Sequence, residues 1–127
     1  MGRKTIILVV DDEFDTLELT EMVFESEGFE VWTAASGSEA MAILSQRTPD
    51  LILLDMRMPD ESGLEVCQRI RSSPNHQIAS LTVIMFSARD TADFIQQAKD
   101  AGAQDYIAKP FDYDQLVDLV KRYLKSS

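Results

Sequence analysis

The chain has 127 residues, 45% of them hydrophobic and 27% charged, with one cysteine and a formal net charge of −10. That length fills one domain of ordinary size, residues 1–127 as a single unit, and that composition excludes a disordered tail. The negative charge, with the Lys and Arg residues scattered along the chain, excludes a nucleic-acid surface.

The first residues, Met-Gly-Arg-Lys, carry no signal-peptide pattern, and Ile6 stands where a myristoylation motif needs Ser or Thr. The lone Cys67 cannot form an intramolecular disulfide and reads as a small core residue, which fits a reducing, cytoplasmic setting. Ile6 to Val10 is the first predicted strand and runs into Asp11-Asp12. Phe14 to Glu27 follows as a helix with Leu19, Val23 and Phe24 at helical spacing. Val31 to Ala34 is the second strand, and Ser38 to Gln46 the second helix, offering Ala40, Ile43 and Leu44. Leu51 to Leu54 is a third strand, ending in Asp55. This run and the first are too short to cross a bilayer, so no membrane insertion is expected. Leu64, Cys67 and Ile70 form the stripe of a third helix. Pro74 and His76 then fall in a polar loop, with His76 expected to be solvated. Leu81 to Phe86 is the fourth strand, ending in Ser87, and Phe94, Ile95, Ala98 and Ala101 mark a fourth helix closed by Gly102. Tyr106 to Ala108 is the fifth strand and runs into Lys109-Pro110. Leu116, Leu119, Val120 and Tyr123 give the last helix, at i, i+3, i+4 and i+7.

The strands are continuously apolar rather than alternating, as expected where both faces are covered in a parallel sheet. Five β-α units in succession predict a doubly wound α/β fold, a five-stranded parallel sheet in the flavodoxin-like order 2-1-3-4-5. Such folds place ligands beyond the carboxyl ends of the strands, at the switch point beside the first. The residues standing there are Asp11, Asp12, Asp55, Ser87 and Lys109. Any one has an ordinary reading: the acidic pair could cap a helix, and Asp55 could open a turn. Together they place three carboxylates, a hydroxyl and an ammonium on one sheet edge. Three negative charges balance one divalent cation and one lysine. An all-oxygen set without His or Cys favours Mg²⁺.

In this setting the chain resembles the response-regulator receiver domains of two-component signalling (CheY-like) over essentially its full length. The residues that carry the resemblance are Val9-Val10-Asp11-Asp12, Leu54-Asp55-Met56-Arg57-Met58-Pro59 with Gly63, Ser87-Ala88, and Tyr106-Ile107-Ala108-Lys109-Pro110-Phe111. The resemblance implies that Asp55 is the phosphorylation site and nucleophile. Asp12, Asp55 and the backbone carbonyl of Arg57 would bind Mg²⁺, with Asp11 acting through water. Lys109 would contact Asp55 or the phosphoryl oxygens, Ser87 would move to the new phosphoryl group, and Tyr106 would follow by turning inward. The Lys109-Pro110 bond is expected to be cis. Partners implied are a sensor histidine kinase or phosphotransfer protein, and a downstream effector on the face of the fourth predicted helix, fifth strand and fifth predicted helix (α4-β5-α5 by sequence count). Weak self-pairing is a further expectation. Such a protein catalyses only its own phosphorylation and dephosphorylation.

Arg57 and Arg89, two residues past Asp55 and Ser87, read either as solvated side chains or as a pair that steers anionic donors. A constitutive interaction module is the competing reading, but such modules usually lose one of the site residues retained here. A haloacid-dehalogenase phosphatase needs Asp-x-Asp, and Asp55 is followed by Met56 and Arg57. A flavodoxin needs a Ser/Thr/Gly-rich phosphate loop where this chain has Asp11-Asp12-Glu13.

Overall fold

The computed structural model describes residues 3–58, 61–87 and 92–125. Strands β1 (Ile6–Val10), β2 (Glu30–Ala34), β3 (Leu51–Asp55), β4 (Thr82–Ser87) and β5 (Asp105–Ala108) form one parallel sheet in the order β2-β1-β3-β4-β5. Helices α1 (Phe14–Ser26), α2 (Gly37–Leu44), α3 (Gly63–Arg71), α4 (His76–Ala79), α5 (Ala92–Asp100) and α6 (Tyr113–Lys125) run between and after them. None of these helices is long and apolar enough to cross a membrane.

The period of two along a strand divides the core. Ile7, Val9, Leu51, Leu53, Ile84 and Phe86 face α1 and α6, packing on Leu17, Phe24, Leu116 and Val120. Leu8, Val10, Ile52, Leu54, Val83 and Met85 face the other way, onto Ala40, Leu44, Val66, Cys67, Ile70 and Ala98. The central strands are buried on both faces, which is why they read as unbroken apolar runs. Burial also raises the Cys67 thiol above its ordinary value, so it stays protonated in the core.

Local signals fix the helix ends. Ser36 caps α2 by accepting from Glu39 N–H at 3.1 Å, and Ser62 and Glu65 form a reciprocal capping box at α3. Gly28 and Gly102 take positive φ, 95° and 103°, just past α1 and α5, as expected of C-terminal helix stops.

Two expectations need correction. Leu19 is 48% exposed; the inward stripe of α1 is Leu17, Thr20 and Phe24. Thr20 is buried because its hydroxyl meets the Tyr113 hydroxyl on α6 at 2.9 Å, so a polar residue takes an inward place that hydropathy alone would deny it. The supposed polar loop after Pro74 contains α4, capped by the Asn75 side chain on Gln77 N–H at 3.0 Å. Ile78 anchors that turn in the core, while His76 is exposed as expected.

Candidate functional site

The parallel register brings the strand ends together. Val10 lies beside Leu54, Asp55 beside Phe86, and Ser87 beside Ala108. The residues that follow, or that end these strands, therefore share one edge. Carboxylate oxygens of Asp11, Asp12 and Asp55 lie within 4.8 Å of one another. Asp11, Asp55 and Ser87 are buried, and Asp12 is exposed.

Lys109 closes the cluster. Its Nζ lies 2.7 Å from Asp11 Oδ2 and 3.2 Å from Asp55 Oδ2. It is seated over the Phe86 ring, 4.9 Å from the centroid. Its backbone N–H donates to the Ser87 carbonyl at 2.6 Å, which ties it to the end of β4; the Lys109-Pro110 bond is cis. Phe111 packs edge-on against both Phe86 and Tyr113, tying the end of β5 to the start of α6.

Asp55 is held by Arg57 N–H, which donates to its Oδ1 at 3.1 Å. Burial, followed by the negative charge of Asp11, raises the Asp55 carboxyl to about 6, against the opposing pull of Arg57 N–H and Lys109. Burial works against the Lys109 ammonium, but hydrogen bonds and charge from Asp11 and Asp55 outweigh it and hold lysine above its ordinary value. The loop beyond Asp55 is pulled close by Gly63, whose N–H donates to the Met56 carbonyl at 2.9 Å. A β-carbon there would collide with the Asp55 carbonyl oxygen and stand 2.8 Å from Met56 Cα.

The family model described as "Response regulator receiver domain" matches residues 7–121. The chain belongs to the response-regulator receiver family. This receiver is 39% identical over 118 residues to "Sporulation initiation phosphotransferase F" of Bacillus subtilis (strain 168), covering 93% of this chain and 92% of that one. It is 40% identical over 119 residues to "Phosphate regulon transcriptional regulatory protein PhoB" of Rhizobium meliloti (strain 1021), where 94% of this chain spans 52% of the relative's length. Among solved structures, a CheY-like receiver domain protein from Methanospirillum hungatei JF-1 superposes with a TM-score of 0.88 at 29% identity, over 98% of this chain and 96% of that one.

The structure brings Asp11, Asp12, Asp55 and Lys109 into one cluster, with Ser87 one residue past the partner of Asp55 on β4. Tyr106, on β5, already packs against the α3–α5 side of the core, its hydroxyl buried. The Arg57 side chain is exposed and makes no ion pair among the described residues; Arg89, Ala88 and Pro59 lie outside them. Sequence reading missed the Lys109–Asp11 bond, the Phe86 seat and the approach of Glu13 Oε1 to Lys109 at 3.6 Å. Only Glu13 left a signal, as a third acid directly after the pair.

Proposed function

We propose that this receiver acts as one unit that accepts a phosphoryl group on Asp55 from the phosphohistidine of a sensor kinase or phosphotransfer protein. The convergence of a buried Asp55 with Lys109 and two further carboxylates carries this reading. A carboxylate oxygen of Asp55 would bond to phosphorus as the donor's P–N bond breaks, with the electron pair left on the imidazole nitrogen. Phosphoryl transfer asks chiefly for positioning and for cover of the charge on the equatorial oxygens. The Lys109 ammonium stands ready for the second task. Arg57 N–H and the Gly63 crossing fix Asp55 for the first.

The donor set is all oxygen, closely grouped, with one exposed member through which a hydrated ion can enter, and this fits Mg²⁺. Asp12, Asp55 and the Arg57 backbone carbonyl would hold the ion, with Asp11 through water; it would supply charge neutralisation on the carboxylates and phosphoryl oxygens. Transfer takes Asp55 from one negative charge to about two. The Ser87 hydroxyl, at the neighbouring strand end, offers a new donor, and Tyr106 couples that end to the surface.

Readout falls on the face of α5, β5 and α6, the α4-β5-α5 face of the sequence count once the short α4 is included. A groove of about 710 Å³ between β5 and α6 is lined there by Tyr106, Ile107, Gln115, Asp118, Leu119 and Arg122. This surface would take an effector or pair weakly with a second copy; the receiver would work in the cytoplasm without nucleic-acid contact of its own. Its only catalysis would be its own phosphorylation and dephosphorylation. The description of the Bacillus subtilis relative as a phosphotransferase supports the phosphoryl-transfer reading, and that of the Rhizobium meliloti relative as a transcriptional regulatory protein supports a regulatory output.

The test is intact mass after acetyl phosphate treatment, with and without Mg²⁺, beside Asp55→Asn, and then transfer from a phosphorylated kinase. One phosphoryl adduct that requires both Mg²⁺ and Asp55 is the expected result. No adduct from either donor in folded protein would leave the constitutive module as the better reading.

A further inference from the structure

Glu13 is 67% exposed in its side chain, yet its Oε1 stands 3.6 Å from Lys109 Nζ. Helix capping does not hold it there. Glu13 is the N-cap residue of α1 in an extended conformation, and its side chain makes no capping hydrogen bond. Its backbone is what is fixed: Glu13 N–H donates to Asp11 Oδ1 at 3.0 Å. Asp11 thus bonds Lys109 through one oxygen and anchors the backbone of a rival carboxylate through the other. Lys109 faces three carboxylates graded by distance: Asp11 at 2.7 Å, Asp55 at 3.2 Å and Glu13 at 3.6 Å. Asp11 and Asp55 are buried at the strand ends, whereas Glu13 stands outside.

Charge counting gives Glu13 a consequence. Asp11, Asp12 and Asp55 are balanced by one divalent cation and Lys109, so Glu13 is a surplus negative charge beside the site. A surplus charge favours a cation and disfavours an added anion. It also offers the ammonium a resting place away from Asp55, which is where the ammonium is needed once Asp55 carries a second negative charge.

We propose that Glu13 is a positioning residue that draws Lys109 away from Asp55, strengthening the site's hold on Mg²⁺ and weakening its hold on a phosphoryl group. The proposal rests on the phosphoacceptor reading above. It concerns the balance between two ligands of one site, a divalent cation and a tetrahedral anion on Asp55.

The experiment measures two affinities at low ionic strength, where exposed charges act most strongly. The first is for Mg²⁺ alone, by calorimetry; the second is for beryllium trifluoride, a phosphoryl stand-in, at saturating Mg²⁺. In Glu13→Gln, Mg²⁺ binding should weaken about 2- to 5-fold and beryllium trifluoride binding should tighten by a similar factor, the range open to one exposed charge. Glu13→Asp keeps the charge but shortens the reach. It should bind Mg²⁺ as the parent does, and bind beryllium trifluoride more tightly than the parent but less tightly than Glu13→Gln, since its charge still opposes the anion. Glu25→Gln, an exposed acid elsewhere on α1, should change neither affinity. Both affinities unchanged in Glu13→Gln would overturn the inference and leave Asp55 as phosphoacceptor untouched. Failure of the parent protein to bind either ligand in an Asp55-dependent way would remove the phosphoacceptor reading itself, and this inference with it.

Discussion

Asp55 is kept in an environment that its charged form dislikes. Burial and the neighbouring Asp11 lift its carboxyl to about 6 in the metal-free protein. A raised folded-state value means that the folded protein holds the proton more firmly than the unfolded chain. The associated stability is fully present below the ordinary carboxylate range near 4, and is lost as pH rises through about 6. At pH 7.5 the ionised Asp55 is therefore a burden on the metal-free fold. The neutral isostere in Asp55→Asn should stabilise it, by on the order of 1 to 2 kcal/mol once solvent screening is counted. Urea unfolding in a chelator should show that gain at pH 7.5 and little of it at pH 4.5. A destabilised Asp55→Asn at pH 7.5 would mean that Lys109 and Arg57 N–H outweigh burial. The exposed Arg57 side chain, free of ion pairs among the described residues, should act only through its field. Arg57→Ala should slow phosphorylation by acetyl phosphate about 2- to 3-fold at low salt and not at about 0.5 M salt. A salt-independent loss would instead indicate direct contact with the donor.

At the scale of elements, the β3–α3 connection depends on one missing β-carbon. Gly63 is the first residue of α3, where helix propensity alone would reward alanine by about 1 kcal/mol. Against that, the added carbon would meet the Asp55 carbonyl and Met56 Cα, both backbone and both beside the strand-end carboxylates. Backbone cannot swing aside as a side-chain tip can, so the clash decides the sign. Gly63→Ala should lose about 2 kcal/mol or more and weaken Mg²⁺ binding, read by thermal melts and by calorimetry; a stabilised variant would show that the loop has slack. Elements of this kind differ in how far sequence reveals them. β1, β3 and β4 were legible because burial on both faces leaves short apolar runs that end in Asp11, Asp55 and Ser87, whereas the equally apolar Ala40 to Leu44 lies within α2. The strand-end residues were legible because a parallel sheet brings all carboxyl ends to one edge. Helix α4 was not, because a single turn has no period to detect and hangs on the Asn75 cap and on Ile78. Nor was the inward face of α1, since Thr20 is buried through a hydroxyl pair with Tyr113, 93 residues on. The Phe86 seat beneath Lys109 was hidden for the same reason: it is a contact between strands, and a pattern within one strand does not encode it.

For the molecule as a whole, these features make stability and metal binding two views of one equilibrium. A chain of net charge −10 holds three carboxylates together at a sheet edge against their own repulsion, with one ammonium between them. Any cation that binds the folded edge and not the unfolded chain stabilises the fold by mass action, about 2.7 kcal/mol at a hundredfold excess over Kd. Mg²⁺ should therefore raise the thermal midpoint at pH 7.5, with the shift growing as the logarithm of its concentration. On the proposed metal site, Asp12→Asn and Asp55→Asn should each lose most of that shift, since each removes one carboxylate charge from the strand-end cluster. The pH dependence has a definite sign. Below about 6 Asp55 takes up a proton, and the ion must then displace it, so the Mg²⁺-induced shift should shrink as pH falls from 7.5 to 5. The metal-free protein moves the other way, gaining stability over the same interval as the Asp55 burden is neutralised. The two melting curves should thus converge on acidification. A Mg²⁺ shift that stays constant from pH 7.5 to 5, or that survives in Asp55→Asn, would place the ion somewhere other than the strand-end carboxylates.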